Sequence, residues 1–334
     1  MLIVIFIITL GVLIVGHEFG HFIVAKLFKL RVDEFGFGFP PKIASKKVGE
    51  TEYSFNLLPF GGFVKIYGEH QEENGENNEN KKISFYHQNA PRRIAVISAG
   101  VIMNFIIAWF AFSLVFAIGI PQAVYIESVV EGSPAALAGL KEGDIISEFK
   151  TIDEFKGFIN QNLEKKVIVN EKEIIPRENP PEGEGAIGVS LREGGIEKQG
   201  AFQSLYSGFT TSVDMVGRIF SAFGGMIKDA LQGNGETLAS VSGPVGIYNF
   251  FSVSQSLGFI YLIQFIGIIS INLAVFNLLP VPALDGGRLL FIGIEKIIGR
   301  RLNYKYEGVA NALGFVFLIL LAVIVTISDI SKLI

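Results

Sequence analysis

Long apolar runs recur along this chain of 334 residues and restrict the folds open to it. Half of the residues are hydrophobic, and the mean hydropathy is positive at +0.46. A helix needs about 20 apolar residues to cross the core of a bilayer, and several runs reach that length. The pattern therefore predicts an α-helical polytopic membrane protein with about four transmembrane helices.

The first apolar run contains a polar hexapeptide at residues 16–21, with the sequence GHEFGH. Residues four apart share one face of a helix, so His17 and His21 can bind one metal ion while Glu18 lies beside them. At 1.5 Å per residue, His17 lies roughly 22 Å from the Leu2 end, inside a ~30 Å hydrocarbon layer. Titratable groups are costly there, so the cluster is a candidate functional site. The chain has no cysteine, so its metal ligands must be His, Asp or Glu.

A later apolar span ends in a second polar motif over residues 277–287, NLLPVPALDGG. Pro280 and Pro282 are predicted to end the helix, and the paired glycines permit a tight backbone turn after it. The break places Asp285 at membrane depth without helix neighbours of its own. Asp285 is therefore the predicted third metal ligand, and two imidazoles with one carboxylate leave a fourth zinc position for water.

The distribution of basic residues predicts the topology. Lys and Arg are concentrated in residues 29–93 and 288–305, and we expect both segments on the cytoplasmic side. The first and third spans then run in the same direction, which brings His17 and Asp285 to one depth. A net charge of −4 without a long basic run gives no indication of nucleic-acid binding.

Residues 29–91 are predicted to form a small β-sheet associated with the membrane. Aromatic residues alternate with glycine or polar residues in Gly36-Phe37-Gly38 and further along, which is the period-2 pattern of strands. Turn residues divide the stretch into about four strands. An edge of this sheet could bind an extended substrate, and a sheet that only caps the helices fits the pattern as well. Residues 69–82 are rich in Glu and Asn and are predicted to be a disordered acidic loop.

The segment between the second and third spans is predicted to contain an inserted α+β domain that resembles a PDZ domain. After it, apolar residues recur at helical spacing, which predicts an amphipathic helix, or two broken near Gly224, in the membrane interface or packed on the domain. Asn104 on the second span is predicted to pack between helices, or alternatively to line the site.

The predicted division of the chain is 1–28 (first span), 29–91 (β region), 92–120 (second span), 121–193 (PDZ-like domain), 194–256 (amphipathic and connecting segment), 257–287 (third span), 288–307 (cytoplasmic loop) and 308–328 (fourth span).

The order and spacing of these motifs resemble those of the bacterial site-2 proteases, the intramembrane zinc metalloproteases that include the regulator of sigma-E protease. The resemblance covers essentially the whole chain, with HExxH on the first span, LDGG on a later span and a PDZ-like domain between them. It implies one zinc ion per chain. The implied site residues are His17, His21 and Asp285 as metal ligands, Glu18 as the catalytic base, and Asn277, Gly36, Phe37 and Gly38 as substrate-binding residues.

The resemblance also implies a location and partners. The expected location is the bacterial cytoplasmic (inner) membrane, with the PDZ-like domain outside and the site toward the cytoplasm. Expected partners are membrane lipid and single-pass membrane proteins such as anti-sigma factors or remnant signal peptides, cleaved by regulated intramembrane proteolysis; a ligand for the PDZ-like domain is unknown. An inactive membrane scaffold and a transporter are the alternative classes of protein. The intact Glu18 argues against an inactive membrane scaffold, and the lack of an internal hydrophobic repeat argues against a transporter.

Overall fold

The computed structural model describes residues 2–69, 78–232 and 243–331 and is mostly helical. Four helices are long and apolar enough to cross a membrane, which confirms the predicted apolar spans as candidates: α1 (Leu2–Leu27), α3 (Ala90–Ile118), α8 (Phe259–Leu278) and α10 (Tyr304–Ser331). The other helices are α2 (Asn78–Ile83), α4 (Pro134–Leu137), α5 (Ile152–Gln161), α6 (Ala201–Leu231), α7 (Pro244–Leu257) and α9 (Asp285–Ile298). The strands are β1 (Val32–Val48), β2 (Thr51–Ile66), β3 (Ile120–Val129), β4 (Ile145–Ile146), β5 (Val167–Val169), β6 (Lys172–Ile174) and β7 (Val189–Ile196).

The chain divides into two compact units, residues 1–113 with 206–334 and residues 114–205. In the first unit, apolar side chains fill the space between the long helices. Phe251 of α7 is buried, with its ring centroid 5.2 Å from that of Phe6 on α1 and 5.4 Å from that of Phe265 on α8. Gly20 lets α1 approach α3 closely, because a Cβ there would lie 2.3 Å from the carbonyl oxygen of Ala99. These contacts hold the helix with the polar hexapeptide against its neighbours.

Strands β1 and β2 of the first unit pair in more than one register. The second half of β1 forms an antiparallel hairpin with the first half of β2. The first half of β1 lies between the two halves of β2, since Phe35 pairs with Tyr53 on one side and with Val64 on the other. The stretch thus consists of about four strand segments, as the turn residues predicted. Residues 62–66 have β1 on one side, and within the described part of the chain no strand pairs with their other edge.

The second unit contains a three-stranded sheet in the order β4-β3-β7 and the separate hairpin β5-β6. Helix α5 is amphipathic and buries Phe155 and Ile159 in a cluster of apolar side chains. The hairpin turns at Asn170 and Glu171, whose φ angles of 52° and 62° are those of a tight two-residue turn.

The predicted acidic loop over 69–82 differs in part from the structure. Residues 78–83 form the helix α2, and residues 70–77 lie outside the described part of the chain. The side chain of Gln88 donates from Nε2 to the carbonyl oxygens of Lys82 and Ser84, at 2.9 and 3.0 Å. This local contact, between residues four to six positions apart, holds the end of α2, and composition alone gives no sign of it.

Of the two alternatives predicted for the amphipathic segment, the structure has the single helix: α6 continues through Gly224, because glycine inside a helix costs only about 1 kcal/mol and tertiary contacts can offset that cost. One further segment departs from the prediction. The predicted loop over 288–307 is helical as far as Ile298, since α9 begins at Asp285. Residues 233–242 of the predicted connecting segment lie outside the described residues.

Candidate metal centre

Three side chains that could bind one metal ion converge in the first unit. His17 and His21 lie one turn apart on α1, and Asp285 is the first residue of α9. Oδ2 of Asp285 lies 3.0 Å from Nε2 of His17 and 3.3 Å from Nε2 of His21, and the two Nε2 atoms are 3.2 Å apart. Tetrahedral zinc ligands at ~2.0–2.1 Å from the ion lie about 3.3 Å from one another, so the three atoms fit a zinc site.

Burial of these groups also fits a metal site. His17 and His21 are each 7% exposed. Oδ2 of Asp285 is buried and has no hydrogen-bond partner among the described residues. A buried carboxylate oxygen without a partner is costly, and a cation in contact with it would remove that cost.

Hydrogen bonds at the other ring nitrogens orient the two histidines. Nδ1 of His21 lies 2.8 Å from the carbonyl oxygen of Val96, which can only accept, so Nδ1 carries the proton and the Nε2 lone pair is available. Nδ1 of His17 lies 3.3 Å from Nδ2 of Asn104, whose Oδ1 is buried and has no hydrogen-bond partner in the described part of the chain. A 180° rotation of this amide lets Oδ1 accept from the N–H at Nδ1 of His17. Of the two predicted roles of Asn104, the structure supports lining the site.

A tight turn between α8 and α9 presents Asp285. Ala283 has a left-handed backbone with a φ of 78°, and its N–H donates to Oδ1 of Asn311 on α10 at 2.9 Å. A Cβ on Gly286 would lie 2.2 Å from the carbonyl oxygen of Leu279, so the turn can fold back this tightly only with glycine there. The prolines end α8 as predicted. The expectation that Asp285 has no helix neighbours is wrong, because α9 begins at this residue.

Helix α3 closes one side of the site through Gly100. A Cβ at this position would lie 2.4 Å from Nε2 of His21 and 2.6 Å from Nε2 of His17. Any side chain there would occupy the space between the ligand atoms. The site therefore depends on glycine at this position of α3.

Glu18 lies beside the ligands and borders a polar cavity. Its Oε2 accepts a hydrogen bond from the backbone N–H of Val64 at 3.1 Å. The cavity has a volume of about 180 Å³, which is large enough for water. A carboxylate, metal-binding groups and room for water are thus adjacent, as hydrolysis by a general base requires. Residues that line the cavity include Glu18, His21, Phe63, Val64, Glu69, Asp285 and Arg288.

A partly buried ion pair forms another part of the cavity wall. Nη2 of Arg288 lies 2.5 Å from Oε1 of Glu69, and Oε2 of Glu69 accepts from the N–H of Ile66 at 3.3 Å. Burial lowers the pKa of Arg288, but the negative charges of Glu69, Asp285 and Glu307 together raise it by more, so the guanidinium stays charged. The cavity wall therefore contains a charged guanidinium paired with the carboxylate of Glu69.

The predicted substrate-binding residues lie elsewhere in the first unit. Asn277 is on the last turn of α8 and is partly buried. Gly36 and Phe37 are in the central strand segment and have strand neighbours on both sides. Gly38, with a φ of 76°, approaches the carbonyl oxygen of Leu58 so closely that a Cβ would lie 2.4 Å from it. These glycines allow β1 to lie between the two halves of β2.

Gly100 and Val64 were not among the predicted site residues, and Asn104 was predicted to line the site only as the alternative to packing between helices. Gly100 and Asn104 are four residues apart on α3, so they lie on one helical face, and a small and a polar residue at this spacing inside an apolar span was the available signal. Val64 contributes its backbone N–H, for which the sequence contains no signal.

A family model described as peptidase family M50 matches residues 5–321. The chain belongs to peptidase family M50. A protein of Clostridium perfringens is 35% identical over 341 residues, covering 99% of this chain and 98% of the relative. The regulator of sigma-W protease RasP of Bacillus subtilis is 30% identical over 418 residues, and the zinc metalloprotease RasP of Shouchella clausii 28% over 423 residues, each covering 98% of both chains.

Membership of family M50 and these relatives make the chain a zinc metalloprotease of the site-2 type. The four apolar helices agree with a multi-pass membrane protein. The family result also decides between the classes weighed from the sequence, in favour of an enzyme. In this M50 protease the HExxH motif and the LDGG motif supply groups that meet at one point, although 264 residues separate Asp285 from His21 in the chain.

Proposed function

We propose that this M50 protease cleaves single-pass membrane proteins within the bilayer, at one zinc ion bound by His17, His21 and Asp285. The observation that carries this assignment is the convergence of three ligand atoms, 3.0–3.3 Å apart, from two helices. A zinc ion held there supplies a Lewis acid for the scissile carbonyl and lowers the pKa of water.

Glu18 acts as the general base. Its carboxylate takes a proton from the attacking water and delivers it to the nitrogen of the leaving amine. The hydrogen bond from Val64 N–H to Oε2 holds the carboxylate toward the cavity that His21 and Asp285 also line. The charged Arg288 in the cavity wall supports a polar interior where water can reside.

We propose that the substrate backbone binds along residues 62–66, while Gly36-Phe37-Gly38 support this segment from the neighbouring strand. A substrate helix must unwind before cleavage, and each backbone group then exposed to hydrocarbon costs several kcal/mol unless it finds a partner. The N–H groups of Val64 and Ile66 donate to carboxylates, which shows that they face away from β1. An extended substrate could pair with this edge beside the cavity.

Substitution of Val64 by proline tests the edge. We expect kcat/KM for a single-pass substrate to fall roughly 10–100-fold, because proline removes the N–H that donates to Glu18 and blocks strand pairing. Val64→Ala keeps the N–H and should stay within about threefold of wild type. Steady-state cleavage in detergent or liposomes measures both variants, with zinc content as a check on the site. Equal activity of Val64→Pro and Val64→Ala would contradict the proposed edge.

The remaining assignments rest on pattern and on relatives. We propose that residues 121–193, within the second unit, form the PDZ-like domain, supported by the sheet, amphipathic helix and hairpin of that unit, and that this domain lies outside the bacterial cytoplasmic membrane. The basic segments support a site toward the cytoplasm. The Bacillus subtilis relative named as a regulator of sigma-W protease supports substrates of the anti-sigma-factor type. Asn277 is proposed to bind substrate backbone near the end of α8.

Removal of the metal tests the proposed chemistry. The purified protein, reconstituted with a single-pass substrate, should lose cleavage in a zinc chelator and recover it when one equivalent of zinc is returned. Mass spectrometry of the products should place the cut within the apolar segment of the substrate. Cleavage that persists in a chelator after zinc has been shown to be absent would contradict the proposal.

A further inference from the structure

A basic groove lies in the first unit, at the C-terminal end of the helix α1 that carries His17 and His21. Its lining residues are Leu27–Lys29, Lys81–Ile83, His87, Gln88 and Arg92, and its volume is about 840 Å³. We propose that the basic groove binds the headgroup of an anionic phospholipid.

The position of the basic groove, at the ends of two candidate spans, indicates that it lies at a membrane surface. One wall is the C-terminal end of α1, and another is the first turn of α3, and both helices are candidate spans. Where two spans end together, the headgroup layer begins, whichever side of the membrane that is. A molecule bound in the basic groove would therefore lie at the depth of the lipid headgroups.

The charge of the basic groove selects an anion. Among the residues that the structure describes, four of its lining residues are cations and none is Asp or Glu. Lys29, Lys81, Lys82 and Arg92 form no ion pair with any residue that the structure describes. Clustered Lys and Arg next to membrane spans attract anionic headgroups.

Hydrogen bonds hold the cationic walls in place. Gln88 is 5% exposed, and its Oε1 accepts from Nη1 of Arg92 at 3.0 Å while its Nε2 donates to the carbonyl oxygen of Lys82. The N–H of Arg31 donates to the carbonyl oxygen of Ile83 at 3.1 Å, which ties the end of α2 to the segment after α1. Cations that only determine the membrane topology of the chain do not need to be held in place. A binding site gains affinity when its side chains are already ordered by hydrogen bonds.

An apolar surface accompanies the charges. Leu27 is 72% exposed although it ends a candidate span. Phe28 lines the same groove and lies 5.8 Å from the guanidinium of Arg92. Phosphate contacts from the cations and acyl-chain contacts from Leu27 and Phe28 together fit a lipid better than a free anion.

The test is native mass spectrometry of the full-length protein in detergent, titrated with phosphatidylglycerol or with phosphatidylcholine of the same acyl chains. Wild type should bind one phosphatidylglycerol selectively. The triple variant Lys29→Gln, Lys81→Gln, Lys82→Gln should bind it on the order of 10²-fold more weakly, about fivefold for each cation removed. A control with the same charge change outside the basic groove, Lys46→Gln, Lys47→Gln, Lys156→Gln, should bind as wild type does. An unchanged thermal transition shows that each variant is folded.

Several results would overturn the proposal. One is equal loss in both triple variants, which would mean that net charge alone attracts the lipid. Others are equal binding of the two lipids by wild type, or full competition by inorganic phosphate at the lipid concentration. Binding that emerges only after Glu72, Glu73 and Glu76 are replaced by glutamine would show that the chain's own acidic segment occupies the basic groove.

Discussion

Replacement of Glu18 by glutamine should abolish proteolysis while zinc remains bound. We expect kcat/KM to fall about 10²–10⁴-fold, the usual contribution of a positioned general base, because an amide cannot take the proton from the attacking water. The amide oxygen can still accept the hydrogen bond from Val64 N–H, so the local structure should be retained. Cleavage of a reconstituted single-pass substrate and zinc analysis of the same sample measure the two properties.

Glu18→Asp is the control for this experiment, and two outcomes for Glu18→Gln would contradict the prediction. Glu18→Asp keeps a carboxylate but withdraws it by one methylene group, so it should retain more activity than Glu18→Gln. Wild-type cleavage by Glu18→Gln would show that another group takes the proton. Loss of zinc from Glu18→Gln would instead place Glu18 among the metal ligands.

Replacement of Asp285 by alanine should remove the metal. His17 and His21 would remain as a pair on one helix, and we expect zinc affinity to fall by more than about 100-fold, beyond the range typical of losing an outer partner of a ligand. Cleavage should be lost with the zinc. Competition with a chelating dye measures the affinity directly and does not depend on any substrate.

Two asparagines provide graded comparisons for Asp285→Ala. Asn104→Leu removes the partner of His17 Nδ1 and should lower zinc affinity about 10–100-fold. Asn277→Ala should leave zinc affinity unchanged and raise KM, because this residue is proposed to contact the substrate backbone alone. Tight zinc binding by Asp285→Ala would contradict the ligand set.

The sequence predicts those parts of the site in which the spacing of residues within a short segment determines the position of the functional groups. His17 and His21 are four residues apart, so any helix through them places both rings on one face. The two prolines end α8 wherever the chain goes next, because proline cannot continue the hydrogen-bond ladder. The apolar runs likewise require helices, since a bilayer leaves backbone groups no other partners.

The proposed substrate-binding edge, residues 62–66, is a feature that the sequence pattern does not predict. The alternation around Gly36 correctly predicted strands, but pairing decides which strand is central and which has a free edge. Phe35 has neighbours on both sides, and residues 62–66 have one. Which strand segments pair with each other depends on how β2 folds back on β1. The period-2 pattern contains no information about this pairing.

The sequence by itself determined the spans, the histidine pair, the carboxylate beside it and a break that could deliver a third ligand. Only the tertiary structure decided that Asp285 opens a helix, that Gly100 and Asn104 of α3 surround the ligand atoms, and that Val64 meets Glu18. The first group follows from forces within a few residues of chain. The second depends on contacts between residues distant in the chain, from 28 positions between Ala283 and Asn311 at the turn before Asp285 to 46 or more around Glu18 and the histidines. These contacts are set by how the helices and the sheet pack together.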